Sequence, residues 1–191
     1  MHFLDYFYTK TLKFDLINKF YYKELKNLPK LKKIVLNFNC RTTNLKTLAT
    51  HLLALELITN QKSNLTISKR PNLLLKIRKG NPVGCKVILK KILMLNFISK
   101  SLNEIFPNIK DFKGIKVNLK TKTNSFSFLI QNTLHFSKLN EHYYLFTSLS
   151  NLNLSFVTTS QTEEEMLFLL KSLQLPFMKL HKSRHNSMGR V

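Results

Sequence analysis

Between residues 28 and 100 the chain carries fifteen lysines and arginines against one acid, Glu56. The whole protein has 31 basic and 10 acidic residues, a formal net charge of +21, so two thirds of the excess sits in this one stretch. A charge serving solubility alone would be spread evenly; a clustered one reads as the footprint of a polyanionic partner. Within the same stretch Ile34, Leu36 and Phe38 alternate with Lys33, Val35 and Asn37. That period of two predicts a strand over 31–39 with one apolar face and one polar, basic face. Whatever the chain folds into must cover one side of this strand and leave the other open.

A length of 191 residues with 43% hydrophobic side chains suits one domain with a sizeable core and excludes a disordered basic tail. The longest apolar runs, such as Leu52-Leu53-Ala54-Leu55, fall far short of a membrane span. A soluble polyanion binder is the first reading. A second bias is genomic. Lys outnumbers Arg by 26 to 5, Asn reaches 19 and Phe 15, while Gly, Ala, Pro and Arg together total 16. This is the signature of an AT-rich genome, typical of organelles and some reduced bacteria, and mutation pressure of that kind supplies part of the Lys. Cys40 and Cys85 are isolated, without zinc spacing, as expected in a reducing compartment. Met1-His2-Phe3-Leu4-Asp5-Tyr6 resembles neither a signal peptide nor a transit peptide, so a protein made where it works, encoded inside an organelle, is expected.

Phe3, Phe7, Leu12, Leu16 and Phe20 predict an N-terminal helix ending near Tyr22. Thr42 or Thr43 can cap a helix with the stripe Leu45, Leu48, Leu52 and Leu55, followed by a short strand at Leu65-Thr66-Ile67. Residues 68–84 are punctuated by Pro71, Gly80, Pro82 and Gly84 and lined by Lys69, Arg70, Lys76, Arg78 and Lys79, which predicts a protruding basic loop. A strand at Lys86-Val87-Ile88-Leu89 and a helix over 92–106, stopped by Pro107, come next, with Leu95, Ile98, Leu102 and Ile105 inward. Phe126, Phe128 and Ile130 mark one further strand and Leu152, Leu154 and Phe156 another. Thr162 with Glu165 forms a capping box for a last helix ending near Leu173. The connections are too short for a doubly wound sheet. The expected fold is α+β, a mainly antiparallel sheet with helices packed on one face.

Catalysis has little to work with: ten acids, three of them at a helix start, and no acid–base pair. His181 and His185 stand four apart but in a basic tail, which reads as solvated or RNA-touching rather than as a metal site. His51 and His135 are read as surface or boundary residues. Gly80-x-x-x-Gly84 lacks the ending of a phosphate loop. No metal and no cofactor are expected. In the basic region Asn37, Thr66, Asn72 and Asn81 accompany the cations, and Phe38 points inward, so phosphate and groove contacts on folded RNA fit better than stacking on single strands.

Five motifs in order carry a resemblance. Pro29-Lys30-Leu31-Lys32-Lys33-Ile34-Val35-Leu36-Asn37 resembles the Pro-x-Leu/Val-x-Lys-Ile-x-Leu/Ile-Asn strand of large-subunit ribosomal protein five, the bacterial-type family that binds 5S rRNA. Leu57-Ile58-Thr59-Asn60-Gln61-Lys62 is similar to its Leu-Ile-Ser/Thr-Gly-Gln-Lys turn, with Asn60 for the glycine. Lys76 through Val87, Pro107 through Gly114, and Val157-Thr158-Thr159 on to Leu175-Pro176-Phe177 match three more. The resemblance spans about 28–177, and the helix before it also resembles the family's start.

The resemblance implies an antiparallel sheet with helices on one side and a structural, non-enzymatic role in the central protuberance of the large subunit. The implied partners are 5S rRNA or its replacement, large-subunit rRNA, P-site tRNA, a small-subunit head protein and neighbouring central-protuberance proteins, with no membrane. It makes Lys33, Asn37, Gln61, Lys62 and Lys86 candidates for rRNA contact. Lys69, Arg70, Lys76, Arg78 and Lys79 would form the tRNA-facing loop, and Asp111, Phe112, Lys113 and Gly114 would lie toward the subunit bridge. Residues 1–177 are read as one domain, 1–27 its N-terminal helix and 28–177 its core, with 178–191 a basic tail.

Departures from the family include Ile88 where a Thr is usual, the reduced segment Asn39-Cys40-Arg41, Pro71-Asn72-Leu73-Leu74 in place of small loop residues, and Lys122-Thr123-Asn124-Ser125-Phe126 without its glycines. Relaxation of this kind points to a mitochondrial member, with a plastid or reduced bacterium as the alternative. An RNA-processing or maturase-accessory protein is the rival reading, and an anionic-membrane binder a third.

Overall fold

The computed structural model describes residues 2–40, 44–110, 112–117 and 123–178. It opens with α1 (Phe3–Phe7), a wide π-type turn at Tyr8–Leu12, and α2 (Lys13–Lys19). The Thr9 hydroxyl donates to the Asp5 and Tyr6 carbonyls and the Thr11 hydroxyl to Phe7, so side chains compete with the backbone ladder where it widens. The widened turn changes the phase of the helix. Leu4, Leu12 and Leu16 are buried, whereas Phe3 from the expected stripe is 73% exposed. The helix also stops earlier than expected: Phe20 is already extended.

β1 (Leu31–Asn39) follows, then α3 (Leu45–Thr59), β2 (Asn64–Ile67) and β3 (Pro82–Leu89). α4 (Lys91–Lys100) continues through a second π-type turn, Ser101–Ile105, into the short α5 (Phe106–Asn108). β4 (Ser125–Ile130), α6 (Ser137–Asn140), α7 (Tyr143–Phe146), β5 (Leu152–Thr158) and α8 (Glu163–Ser172) complete the described chain. The five strands form one antiparallel sheet in the order β2-β3-β1-β5-β4. This is the expected α+β architecture, and Leu73 and Leu74, 93% and 95% exposed, mark the tip of the loop between β2 and β3.

One face of the sheet is the core. Ile34, Leu36 and Phe38, Val87 and Leu89, Leu154 and Phe156, and Phe126 and Ile130 all point to it. They meet Ala54, Leu55 and Ile58 of α3, Met94, Phe97 and Ile98 of α4, and Met166 and Leu170 of α8. A smaller cluster of Leu12, Leu16, Leu28, Leu169 and Leu173 seats the N-terminal helix on α8. The Thr162–Glu165 capping box starts α8 as expected.

Three local expectations are corrected. The N-cap of α3 is Asn44, whose side chain accepts from Lys46 N–H, not Thr42 or Thr43, which lie outside the described residues. α3 buries Leu48, His51, Ala54, Leu55 and Ile58, and Leu45 at its first turn is 78% exposed. Pro107 does not stop the helix, which runs on to Asn108. The wide turn before it has already interrupted the regular ladder that the missing proline N–H would have joined.

His51 is buried rather than a surface or boundary residue. Its Nδ1 donates to the Thr47 carbonyl, and its Nε2 accepts the Ser150 N–H at 2.9 Å. Those partners leave no choice of tautomer: a carbonyl can only accept and an amide N–H can only donate. The neutral ring thus ties α3 to the chain entering β5, edge-on against Phe38. Glu56 is also used internally, its Oε1 accepting Ser63 N–H at 3.1 Å and Ser63 Oγ at 3.2 Å.

Gly84 sets the tightest constraint on the sheet. A Cβ there would lie 2.3 Å from the Phe38 carbonyl oxygen, so β3 could not keep its register with β1. Gly84→Ala is expected to lower the urea midpoint well beyond Thr162→Ala, which removes a cap worth about 1 kcal/mol. Equal losses would show that the two strands can separate without cost.

Candidate nucleic-acid interface

The face of the sheet opposite the helices is polar along its middle. Asn37 of β1 stands opposite Lys86 of β3 on one side and Asn153 of β5 on the other. Lys86 in turn faces Asn64 of β2, so Asn64, Lys86, Asn37 and Asn153 form one row across four strands. The next row is Ile88, Val35, Ser155 and Ser127, with the two serine hydroxyls 2.9 Å apart. Lys33 lies on the same face of β1, opposite Val157. The structure therefore brings Lys33, Asn37 and Lys86 onto one surface. Ile88 sits on it where a hydroxyl is usual in the resembling family.

Gln61 and Lys62 come from the turn between α3 and β2. Asn60 closes α3 in the left-handed conformation, φ +52°, which asparagine tolerates better than most residues. Its Oδ1 accepts from Lys138 Nζ at 2.7 Å. The turn delivers Gln61 to the rim of β2, three residues before Asn64.

Two of these side chains share an unusual property. Asn37 Nδ2 donates to Asn39 Oδ1 at 2.9 Å, but Asn37 Oδ1 is shielded and accepts nothing. Gln61 Oε1 is likewise shielded and unpartnered. A buried acceptor without a donor costs about 1–3 kcal/mol, and folded proteins tolerate few of them. Both acceptors could be satisfied by RNA, whose 2′-hydroxyls and exocyclic amines are donors.

In the loop after β2, Asn72 and Ile77 exchange backbone hydrogen bonds at 2.8 and 2.9 Å around a tight turn, and Asn72 Oδ1 accepts Leu75 N–H. This small hairpin organises the protrusion. Lys69, Arg70, Lys76, Arg78 and Lys79 are all exposed on or beside it. Among the described residues the structure contains one ion pair, Lys100 with Glu104 at 3.8 Å, so none of the five is neutralised there. Exposed, unpaired cations at this density are suited to phosphates.

The segment proposed for a subunit bridge is divided. Asp111 lies outside the described residues. Phe112 stacks on Phe106 at 5.3 Å and packs against the core, so its main contacts are internal. Gly114, at φ +100°, lets the chain pass beside Met178, whose backbone nitrogen a Cβ would meet at 2.8 Å. Lys113 is the exposed member. His181 and His185 lie outside the described residues. Both cysteines are free and buried, and burial together with the neighbouring Cys40 pushes the Cys85 thiol up to about 12. These are inert packing groups.

Comparison with known proteins agrees with this arrangement. Residues 82–177 match the family model for the C-terminus of the ribosomal protein uL5 family. A large ribosomal subunit protein uL5m of Reclinomonas americana is 34% identical over 174 residues, 90% of this chain and 96% of that protein. Large ribosomal subunit proteins uL5 of Malacoplasma penetrans and Karelsulcia muelleri are 32% and 34% identical, covering 93% and 90% of this chain and 95% and 92% of their own lengths. The chain belongs to the ribosomal protein uL5 family.

Reading the sequence alone missed Asn39, Asn64 and Asn153 as members of this face. Their signal was present in β5, where Leu152, Leu154 and Phe156 alternate with Asn153 and Ser155, but the strand order that sets Asn153 beside Asn37 is not written in any one segment. The unpartnered acceptors yield a stability prediction. Gln61→Met removes one and is expected to hold or raise the stability, by up to about 1 kcal/mol. Glu56→Ala strands the Ser63 N–H and is expected to lower it by about 1–2 kcal/mol. Urea titration of the two variants measures both; a Gln61→Met protein weaker than Glu56→Ala would mean that Gln61 has an internal structural role.

Proposed function

We propose that this protein is a structural, non-enzymatic constituent of the large ribosomal subunit in a mitochondrion, bound to 5S rRNA or its replacement in the central protuberance. The observation that carries the reading is the open sheet face. Lys33, Asn37 and Lys86 share it, Gln61 and Lys62 stand at its rim, and the shielded oxygens of Asn37 and Gln61 lack donors within the described protein. The names of the relatives, large ribosomal subunit protein uL5 and uL5m, support the assembly, and the uL5m relative together with the Lys- and Asn-rich composition favours the mitochondrion over a plastid or reduced bacterium.

On this reading Lys33, Lys62 and Lys86 hold phosphates while the two amides accept hydrogen bonds from the RNA. The hairpin bearing Lys69, Arg70, Lys76, Arg78 and Lys79 reaches P-site tRNA. The neighbourhood of Asp111, Phe112, Lys113 and Gly114 faces a protein of the small-subunit head, with Lys113 as its exposed cation. Residues 1–177 act as the ribosome-bound domain and the basic tail, 178–191, adds contacts to RNA or to neighbouring central-protuberance proteins.

Sucrose-gradient sedimentation tests the assembly: the chain is expected in the large subunit and its precursors, and its absence from both would overturn the proposal. Binding to transcribed 5S rRNA tests the site. Asn37→Ala and Gln61→Ala are expected to weaken binding three- to ten-fold at every salt concentration, the size of a neutral hydrogen bond. Lys86→Gln should in addition flatten the log–log salt slope by about 0.9, one phosphate contact. Amide variants with unchanged affinity would remove the two acceptors from the interface.

A further inference from the structure

The open sheet face does not end at the row containing Asn37. Beyond it, toward the edge strand β4, lies a groove of about 720 Å³. Its floor is Leu129 and Ser127 of β4 with Asn153 of β5; Asn39 closes one side, Gln131 another, and the segment carrying Lys116 forms the outer wall. The floor follows from register, since Leu129 pairs with Asn153 and Asn153 with Asn37. No residue of the lining is acidic.

We propose that this groove is a second RNA subsite, taking a single unstacked nucleoside of the rRNA bound on the adjoining face. The inference rests on the ribosomal reading above. Three carboxamides, Asn39, Gln131 and Asn153, each present a donor and an acceptor, the pairing that the edge of a base or a ribose 2′-hydroxyl requires. Leu129 is 61% exposed and gives an apolar surface on which the plane of a base can rest. Lys116, exposed on the wall, supplies one cation for the phosphate linking that nucleotide to the next. The volume falls within the range of small-ligand pockets, about 300–1,000 Å³, and is larger than one base alone would fill.

Continuity distinguishes this from an isolated polar hollow. Asn39 lines the groove and also accepts the hydrogen bond from Asn37 Nδ2, so one amide belongs to both surfaces. A strand of RNA lying along Asn64, Lys86 and Asn37 reaches the groove at Asn153 without leaving the sheet. An acidic peptide would find one lysine there, whereas a nucleotide finds a partner for base, sugar and phosphate. RNA is the occupant the chemistry favours.

The test uses large subunits assembled with the full-length chain carrying a photoreactive Leu129→p-benzoylphenylalanine substitution, and a parallel preparation carrying it at Lys86. Irradiation is expected to crosslink position 129 to rRNA at one or two adjacent nucleotides, mapped by reverse-transcription stops. Adding Asn153→Ala and Gln131→Ala should reduce that yield at least five-fold while the crosslink from position 86 persists. A crosslink from 129 to protein, or none to RNA in subunits whose position 86 does crosslink RNA, overturns the subsite and leaves the ribosomal assignment standing. Should position 129 tolerate no substitution, the Asn153→Ala, Gln131→Ala protein is read by chemical probing of rRNA in assembled subunits. Newly exposed nucleotides adjoining the 5S contact support the subsite, and an unchanged pattern overturns it. Absence of the unsubstituted chain from the large subunit would overturn the ribosomal reading and this one with it.

Discussion

The alternation of β1 is the constraint on which the rest of the molecule depends. β1 pairs with both β3 and β5, so its two faces set the two faces of the sheet. Ile34, Leu36 and Phe38 are fully buried, and helices from three distant parts of the chain converge on them. Because a strand's side chains alternate strictly, the same nine residues commit Lys33, Val35 and Asn37 to the opposite face. A slip of one residue would bury a lysine and expose a phenylalanine, which fixes the register more firmly than the hydrogen bonds alone. Gly84 reinforces it from the neighbouring strand, where only a residue without a Cβ passes the Phe38 carbonyl.

Charge follows from this geometry. With helices confined to one side, lysines and arginines of residues 28–100 have an uncovered sheet face and a protruding hairpin on which to remain solvated. The one acid of that stretch does not neutralise them: Glu56 is engaged by Ser63 at the turn that delivers Gln61. Its carboxylate acts locally, holding two donors that would otherwise go unbonded, and the field of the surface stays positive.

Much of this was legible in the sequence, for identifiable reasons. Each strand announced itself by its own period of two, and the capping box of α8 by Thr162 and Glu165 three apart. Lys33, Asn37 and Lys86 were legible because two of them share a strand and the motif carries the third. The failures were of another kind. The phase of the N-terminal helix was lost because Thr9 and Thr11 sit where hydroxyls widen the turn, an effect with no signature in hydrophobic spacing. Pro107 looked like a terminator because the wide turn that tolerates it cannot be seen beforehand. His51 looked ordinary because its two partners, Thr47 and Ser150, lie one turn and 99 residues away. Asn39 and Asn153 were missed because membership of a surface depends on strand order.

The open face also explains a local conflict in the folding of this chain. Folded proteins rarely shield a polar oxygen without giving it a donor, yet Asn37 and Gln61 each do so, and both lie at the same surface. Natural sequences break local rules mainly where function requires it. Here the unmet hydrogen bonds make the isolated protein less stable than an apolar replacement would, and they make the face complete only when an external donor arrives. AT-driven mutation can raise the number of asparagines along a chain, but it cannot choose which of them share a face. Four strands place Asn64, Asn37, Asn153 and Lys86 in one row, and selection for a partner rich in donors and phosphates accounts for that placement where composition does not.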